Sequence, residues 1–176
     1  MRCRSGIEPR GLHNLVNEQG ADMIHRTIRL AALVGALALA ACQSVPLGDP
    51  GRSAELKKFV ANPNAGQIYV CRDDRFFGAA ISPTVELNGK PVARLGRSNY
   101  FFAELPPGDH TVVMKTLEHD SKLPFKIAAG QQIYFQTWIS FGIIAGRAII
   151  DTYSTEDGKK CVTASDLAGP LEPAAK

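Results

Sequence analysis

Several features are scarce in this chain, and each scarcity removes a class of function. After residue 42 no stretch approaches the ~18 consecutive apolar residues of a membrane-spanning helix. No unit of roughly 20 to 50 residues recurs, which excludes solenoids and propellers. Charge of one sign is also lacking. The chain has 20 Lys and Arg against 17 Asp and Glu, and residues 1–41 hold five and three of these, leaving 15 against 14 in the remainder. Phosphate binding needs clustered cations, so no nucleic-acid partner is expected. None of Ser82, Ser98, Ser121, Ser140 or Ser154 stands in a G-x-S-x-G setting or beside a recognisable His motif, so no acyl-transfer nucleophile is marked. Cysteine is limited to four residues, Cys3, Cys42, Cys71 and Cys161.

What is present begins with a leader. Arg26 and Arg29 precede twelve residues, Leu30 to Ala41, that are all Leu, Ala, Val or Gly. At ~1.5 Å per residue such a helix covers roughly 18 Å, well short of the ~30 Å hydrocarbon core. A buried soluble helix would show polar residues at helical spacing and a cap, and neither is there. The pattern is the charged n-region and apolar h-region of a secretory signal. At its end, Leu39-Ala40-Ala41-Cys42 resembles the lipobox of bacterial lipoproteins. The resemblance implies cleavage after Ala41, a diacylglyceryl thioether on Cys42 Sγ and acylation of the new amino terminus. It thereby implies a bacterial cell-envelope protein anchored to membrane lipid through Cys42. Gln43, where enteric inner-membrane lipoproteins carry Asp, resembles the outer-membrane default, with the protein facing the periplasm. Residues 1–22 are polar and mixed in charge, unlike an n-region, whereas Met23 opens a leader of nineteen residues, 23–41. Residues 1–22 are therefore expected to be an extension outside the mature fold.

Beyond the leader, residues 42–65 are expected to form a lipidated tether. It contains a short helix near Ser53 to Val60, with Ser53 as N-cap and Leu56, Phe59 and Val60 as its apolar side. From residue 66 the pattern changes to short runs of Ile, Val, Tyr, Phe and Thr between turn residues, which predicts an all-β domain over 66–163. Eight strands are expected: Gln67 to Arg72, Ala80 to Leu87, Lys90 to Leu95, Tyr100 to Leu105, His110 to Leu117, Leu123 to Ile127, Gln132 to Phe141 and Arg147 to Tyr153. They read as a small antiparallel β-sandwich of seven or eight strands, with a second short helix after "STEDG" and a flexible tail over 164–176. Asn88-Gly89 suits a two-residue type I′ turn, which pairs Leu87 with Lys90 and Val85 with Val92. The succession of an "IYVCR" strand, an "LNGK" hairpin and a "PPGDH" turn resembles PEGA-like and transthyretin-like β-sandwich modules. More closely, residues 66–162 resemble a family of small bacterial lipoproteins carrying one domain of unknown function. These motifs are structural signatures rather than catalytic ones.

Two acidic clusters invite a chemical reading, Asp73 and Asp74 between Arg72 and Arg75, and Glu118-His119-Asp120. A metal needs three or four ligands converging at about 2 Å. Consecutive strand residues point to opposite faces, so solvated loops with local ion pairs account for both clusters better. No metal, cofactor or catalytic residue is expected. Gly142 to Gly146 matches G-x-x-x-G outside any long apolar stretch, and so reads as a turn between strands. In "QQIYFQTWISF" Ile133, Phe135, Thr137, Ile139 and Phe141 share the core face. Tyr134 and Trp138 share the other, either as a flat recognition surface for a sugar, peptide or partner sheet or packed beneath the Ser53 to Val60 helix. Cys71 and Cys161 are the two thiols left once Cys3 leaves with the leader and Cys42 takes lipid. A single disulfide is favoured over a buried free Cys71 and a separate surface Cys161, because exported pairs tend to oxidise. The expectation is thus a non-catalytic envelope lipoprotein that binds an envelope protein or glycan or supports an assembly. The alternative is an envelope enzyme acting on glycan or peptide, with Asp73 to Arg75 and Glu118 to Asp120 as its site.

Overall fold

The computed structural model describes residues 45–143 and 146–171. The extension, the leader, Cys42 and Gln43 lie outside the described residues. Eight strands form within a few residues of the predicted spans: β1 (Gly66–Arg72), β2 (Thr84–Leu87), β3 (Lys90–Arg94), β4 (Asn99–Leu105), β5 (Gly108–Lys115), β6 (Asp120–Ile127), β7 (Gln132–Ser140) and β8 (Arg147–Tyr153). The short helices are α1 (Pro50–Leu56) and α2 (Thr155–Thr163), and a ninth strand, β9 (Asp166–Leu167), follows α2.

The strands make two sheets, one in the order β8-β7-β1-β4-β9 and the other in the order β3-β2-β5-β6. The fold is an all-β sandwich. Most ladders are antiparallel as expected, but β1 runs parallel to β7 and β4 parallel to β9. β1 is central and buried along its whole length, because both of its faces are covered. Ile68 and Val70 point between the sheets and join Val85, Val112, Met114, Ile127 and Phe135 in the main core. Tyr69 and Cys71 point outward into a second cluster with Leu56, Tyr100, Tyr134 and Val162, beneath the two helices. A strand buried on both sides reads as one continuous apolar run, as "IYVC" does.

The helix starts follow from local chemistry. α1 begins three residues before the expected Ser53 cap, because Asp49-Pro50 is the stronger signal. The Asp49 carboxylate accepts the Arg52 N–H at 2.6 Å, and Pro50 presets φ at the first helical position. Ser53 instead lies inside the helix, buried, with its hydroxyl 2.9 Å from that of Tyr100. α2 is capped by Ser154, whose Oγ accepts the Asp157 N–H at 3.1 Å.

At the β2–β3 turn Asn88 and Gly89 take φ of 51° and 79°, the two positive values that a type I′ turn demands. Leu87 faces Lys90 as expected. A register shift between Val85 and Glu86 then places Val85 opposite Ala93 rather than Val92. Glu86 faces Pro91, which has no N–H to give the ladder, and a bulge absorbs the mismatch.

The described part of the predicted flexible tail is instead built into the sandwich. Ala168 N–H donates to Tyr100 O at 2.8 Å, Gly169 N–H to Pro46 O at 2.8 Å and Leu171 N–H to Val92 O at 3.3 Å. Residues 165–171 therefore lace the β4 edge of one sheet to the β3 edge of the other and pair with the incoming chain at Leu47. Cys71 and Cys161, 90 residues apart, form a disulfide that ties the central strand to α2.

Candidate functional site

The strand directions gather three loops and a crossover at one end of the sandwich. β1 and β7 finish together, with Arg72 opposite Thr137, and β4 starts there, with Asn99 opposite Arg72. The 73–83 loop, the 95–98 crossover and the 141–146 connection all leave from this end. The β5–β6 turn joins them, since Glu118 Oε1 accepts the Ile143 N–H at 2.8 Å and Arg147 Nε–H at 3.2 Å.

Arg72 holds the loops from behind. It is 2% exposed and donates to Gly78 O at 2.6 Å, to Leu95 O at 2.9 Å and to Ile81 O. Burial pushes its pKa below the usual guanidinium value, with nearby Asp73 opposing that shift. Its charge is therefore spent on backbone carbonyls, which fixes the 73–83 loop against the crossover.

Besides the charged Asp74, Arg75 and Arg97, these loops expose a group of large apolar side chains. Phe76 is 87% exposed, Phe77 43%, Leu117 96%, Phe141 79% and Ile143 89%. Five of the seven large hydrophobic residues most exposed among the described residues thus share one end, the other two being Leu47 and Val60. The Phe77 and Phe141 rings lie 4.1 Å apart. Phe141 was expected in the core, but β7 stops at Ser140 and the chain turns out with it. The opposite end carries the turns around Asn62 to Ala65, Asn88-Gly89, Pro106-Pro107 and Ala129 to Gln131, which are built of Asn, Pro, Gly, Ala and Gln. Beside the apolar end opens a groove of about 530 Å³ lined by Ile81, Pro83, Glu86, Lys115 and Leu117. At its wall Lys115 Nζ lies 3.4 Å from Glu86 and 3.4 Å from Asp120, and the hydrogen bond that it donates to Glu86 raises the Lys115 pKa.

The chain also enters near this end. The Val45 side chain packs against Gly96 of the crossover, where an added Cβ would lie 3.1 Å from Val45 Cγ2. Val45 is three residues after Cys42 in sequence.

The predicted recognition pair divides. Tyr134 is 2% exposed and stacks on Tyr69 with ring centroids 5.0 Å apart, so it offers no open surface. Its cover is shared by α2 and the Ser53 to Val60 segment that the sequence suggested, whose Phe59 ring meets the Tyr134 ring edge-on with centroids 6.2 Å apart. A Cβ on Gly158 would stand 2.5 Å from Tyr134 Cβ. Trp138, nearer the apolar end, is half-buried with the Arg75 guanidinium 5.6 Å above its ring. The two acidic clusters are occupied locally: Asp73 pairs with Arg75 at 2.8 Å, Glu118 with Arg147 at 3.2 Å and Asp120 with Lys115. His119 donates its N–H to Thr116 Oγ1 and accepts from that hydroxyl through its carbonyl, closing the turn. Among the described residues no three His, Cys, Asp or Glu side chains are grouped to share a metal ion. Gly142 and Gly146 bracket the β7–β8 connection as a turn, with Gly146 at φ 75°. The signal that would have found the apolar end is the pairing of large hydrophobic residues with glycine in "RFFG", outside any alternating run, and in "SFGI", where one ends.

Residues 62–148 match the family described as "Protein of unknown function (DUF2846)". The DUF2846 match takes in β1 to β7, the start of β8 and the loops of the apolar end, and leaves out α2, Cys161 and β9. A curated protein of Haemophilus influenzae, described as an uncharacterized protein, is 27% identical over 141 residues, covering 78% of this chain and 83% of its own length.

Proposed function

We propose that the protein is a lipid-anchored envelope protein whose β-sandwich makes contacts and carries out no chemistry of its own. The observation that carries the reading is the succession of Arg26 and Arg29, the apolar run from Leu30 to Ala41, and Leu39-Ala40-Ala41-Cys42. Cys42 then takes the acyl groups, and membrane lipid is the first partner. Gln43 directs the protein to the outer membrane, facing the periplasm, where an envelope protein or glycan is the further partner. The Cys71–Cys161 bond supports an oxidising compartment. A non-catalytic role is supported by the cations held against Asp73, Glu118 and Asp120, which leave these carboxylates engaged in ion pairs, and by an exposed end whose chemistry suits contact rather than proton transfer.

Replacing the cysteine tests this. Cys42→Ala in the producing cell is expected to abolish incorporation of radioactive fatty acid and to leave an unprocessed precursor. A Cys42→Ala protein that is still processed and still labelled would contradict the proposal.

A further inference from the structure

We propose that the apolar end of the sandwich is a membrane-contact surface, and that Phe76, Phe77, Leu117, Phe141 and Ile143 enter the interfacial zone of the bilayer that holds the acyl chains of Cys42. The inference rests on the lipid-anchor reading and adds an orientation to it. The domain stands end-on, with the turns of its opposite end facing away.

Three observations carry it. The first is the grouping itself. Leaving five large apolar side chains in water forfeits burial that the rest of this fold secures. They come from three separate loops, and Arg72 and Glu118 bind the backbone of those loops from within. The exposure therefore belongs to a fixed end rather than to one stray side chain. The second is the point of entry. Val45 packs on Gly96 at the same end, and three peptide units reach at most about 11 Å. Acyl chains on Cys42 hold this end within that distance of the lipid, whereas the Asn88-Gly89 turn lies a full strand length away. The third is the rim. Trp138 sits behind the apolar side chains beneath Arg75, where an amphipathic ring matches the headgroup level. The charges around it pair off as Arg75 with Asp73, Arg147 with Glu118 and Lys115 with Asp120. The exposed Arg94 and Arg97 of this end are matched in number by Asp74 and Glu86, so apolar insertion rather than net charge drives the contact and neutral phosphatidylcholine suffices.

The test uses the full lipidated chain in phosphatidylcholine vesicles, made with or without bromine on the lipid acyl chains. An environment-sensitive fluorophore is attached at Leu117→Cys, and at Lys90→Cys beside the far turn as a control; the native pair is held in its disulfide. Brominated lipid is expected to cause a marked loss of fluorescence at position 117 and little at position 90. Phe76→Ser with Ile143→Ser should remove the loss at 117 and leave fatty-acid incorporation at Cys42 unchanged. Both substituted side chains are exposed, so the fold is retained. If the protein is acylated and vesicle-bound but 117 and 90 are quenched equally, or neither is, the inference is overturned while the anchor stands. Crosslinking of 117 to a second copy without quenching overturns it in favour of self-association. Absence of acylation overturns the anchor reading itself.

Discussion

Gly158 has no side chain because Tyr134 occupies the space where one would go. A Cβ there would sit 2.5 Å from Tyr134 Cβ and 2.5 Å from its Cγ, and neither atom lies at the free end of a flexible chain. Gly158→Ala must lift α2 from the sheet and is expected to cost about 1–3 kcal/mol in denaturant unfolding, although alanine is the better helix former. An unchanged or raised midpoint would mean that α2 does not pack on Tyr134. The disulfide makes a second residue-scale claim. Closing a loop of 90 residues contributes up to about 4.5 kcal/mol in the chain-entropy model. Cys161→Ser should lower stability toward that limit, and alkylation of the unreduced, denatured wild type should label neither Cys71 nor Cys161. The cysteine pair was legible because it rests on a count. The burial of Tyr134 was one of two readings left open, because the alternation of β7 shows which residues share a face and does not by itself say what covers that face.

The second cluster is the element that gives the fold its sensitivity to pH. Burial pushes the phenol of Tyr69 up to about 12, and burial likewise raises Tyr100 and Tyr134. The folded state favours the neutral phenol in each case. Their contribution to stability is therefore whole below pH ~10, the usual phenol value, and is lost as pH rises from there through about 12, the value of Tyr69. In an alkaline titration these three of the four tyrosines should ionise together with loss of the near-ultraviolet dichroism of the fold. Their ionisation near pH 10 with that dichroism intact would contradict the packing. At this scale the sequence announced the eight long strands and the turn at Asn88-Gly89, because period-two alternation and a positive-φ pair are local signals. It did not announce the parallel pairing of β1 with β7, the bulge beside Glu86, or β9. Parallel partners are chosen by long-range packing, the bulge by Pro91 on the facing strand, and a two-residue strand has no periodicity to read.

For the whole molecule, the lipid-anchor reading gathers the leader, the disulfide and the apolar end into one account. A secretory run ending at a lipidated cysteine implies an oxidising compartment, in which a small domain gains from a crosslink between its central strand and its last helix. On that reading, an anchor three residues before Val45, which packs on Gly96, gives the exposed loop residues a surface to face. The sequence carried the fold class and the motif on which the anchor reading rests, but not the apolar end. Phe141 and Leu117 read as continuations of strands, and only the stops of β7 at Ser140 and β5 at Lys115 turn them outward. The most direct measurement is mass spectrometry of the amino-terminal peptide of the mature protein, extracted from membranes with detergent. The account predicts a peptide that begins at Cys42 and carries the mass of a diacylglyceryl group plus an amide-linked acyl chain. An unmodified Cys42, whether terminal or internal to a longer peptide, would contradict it.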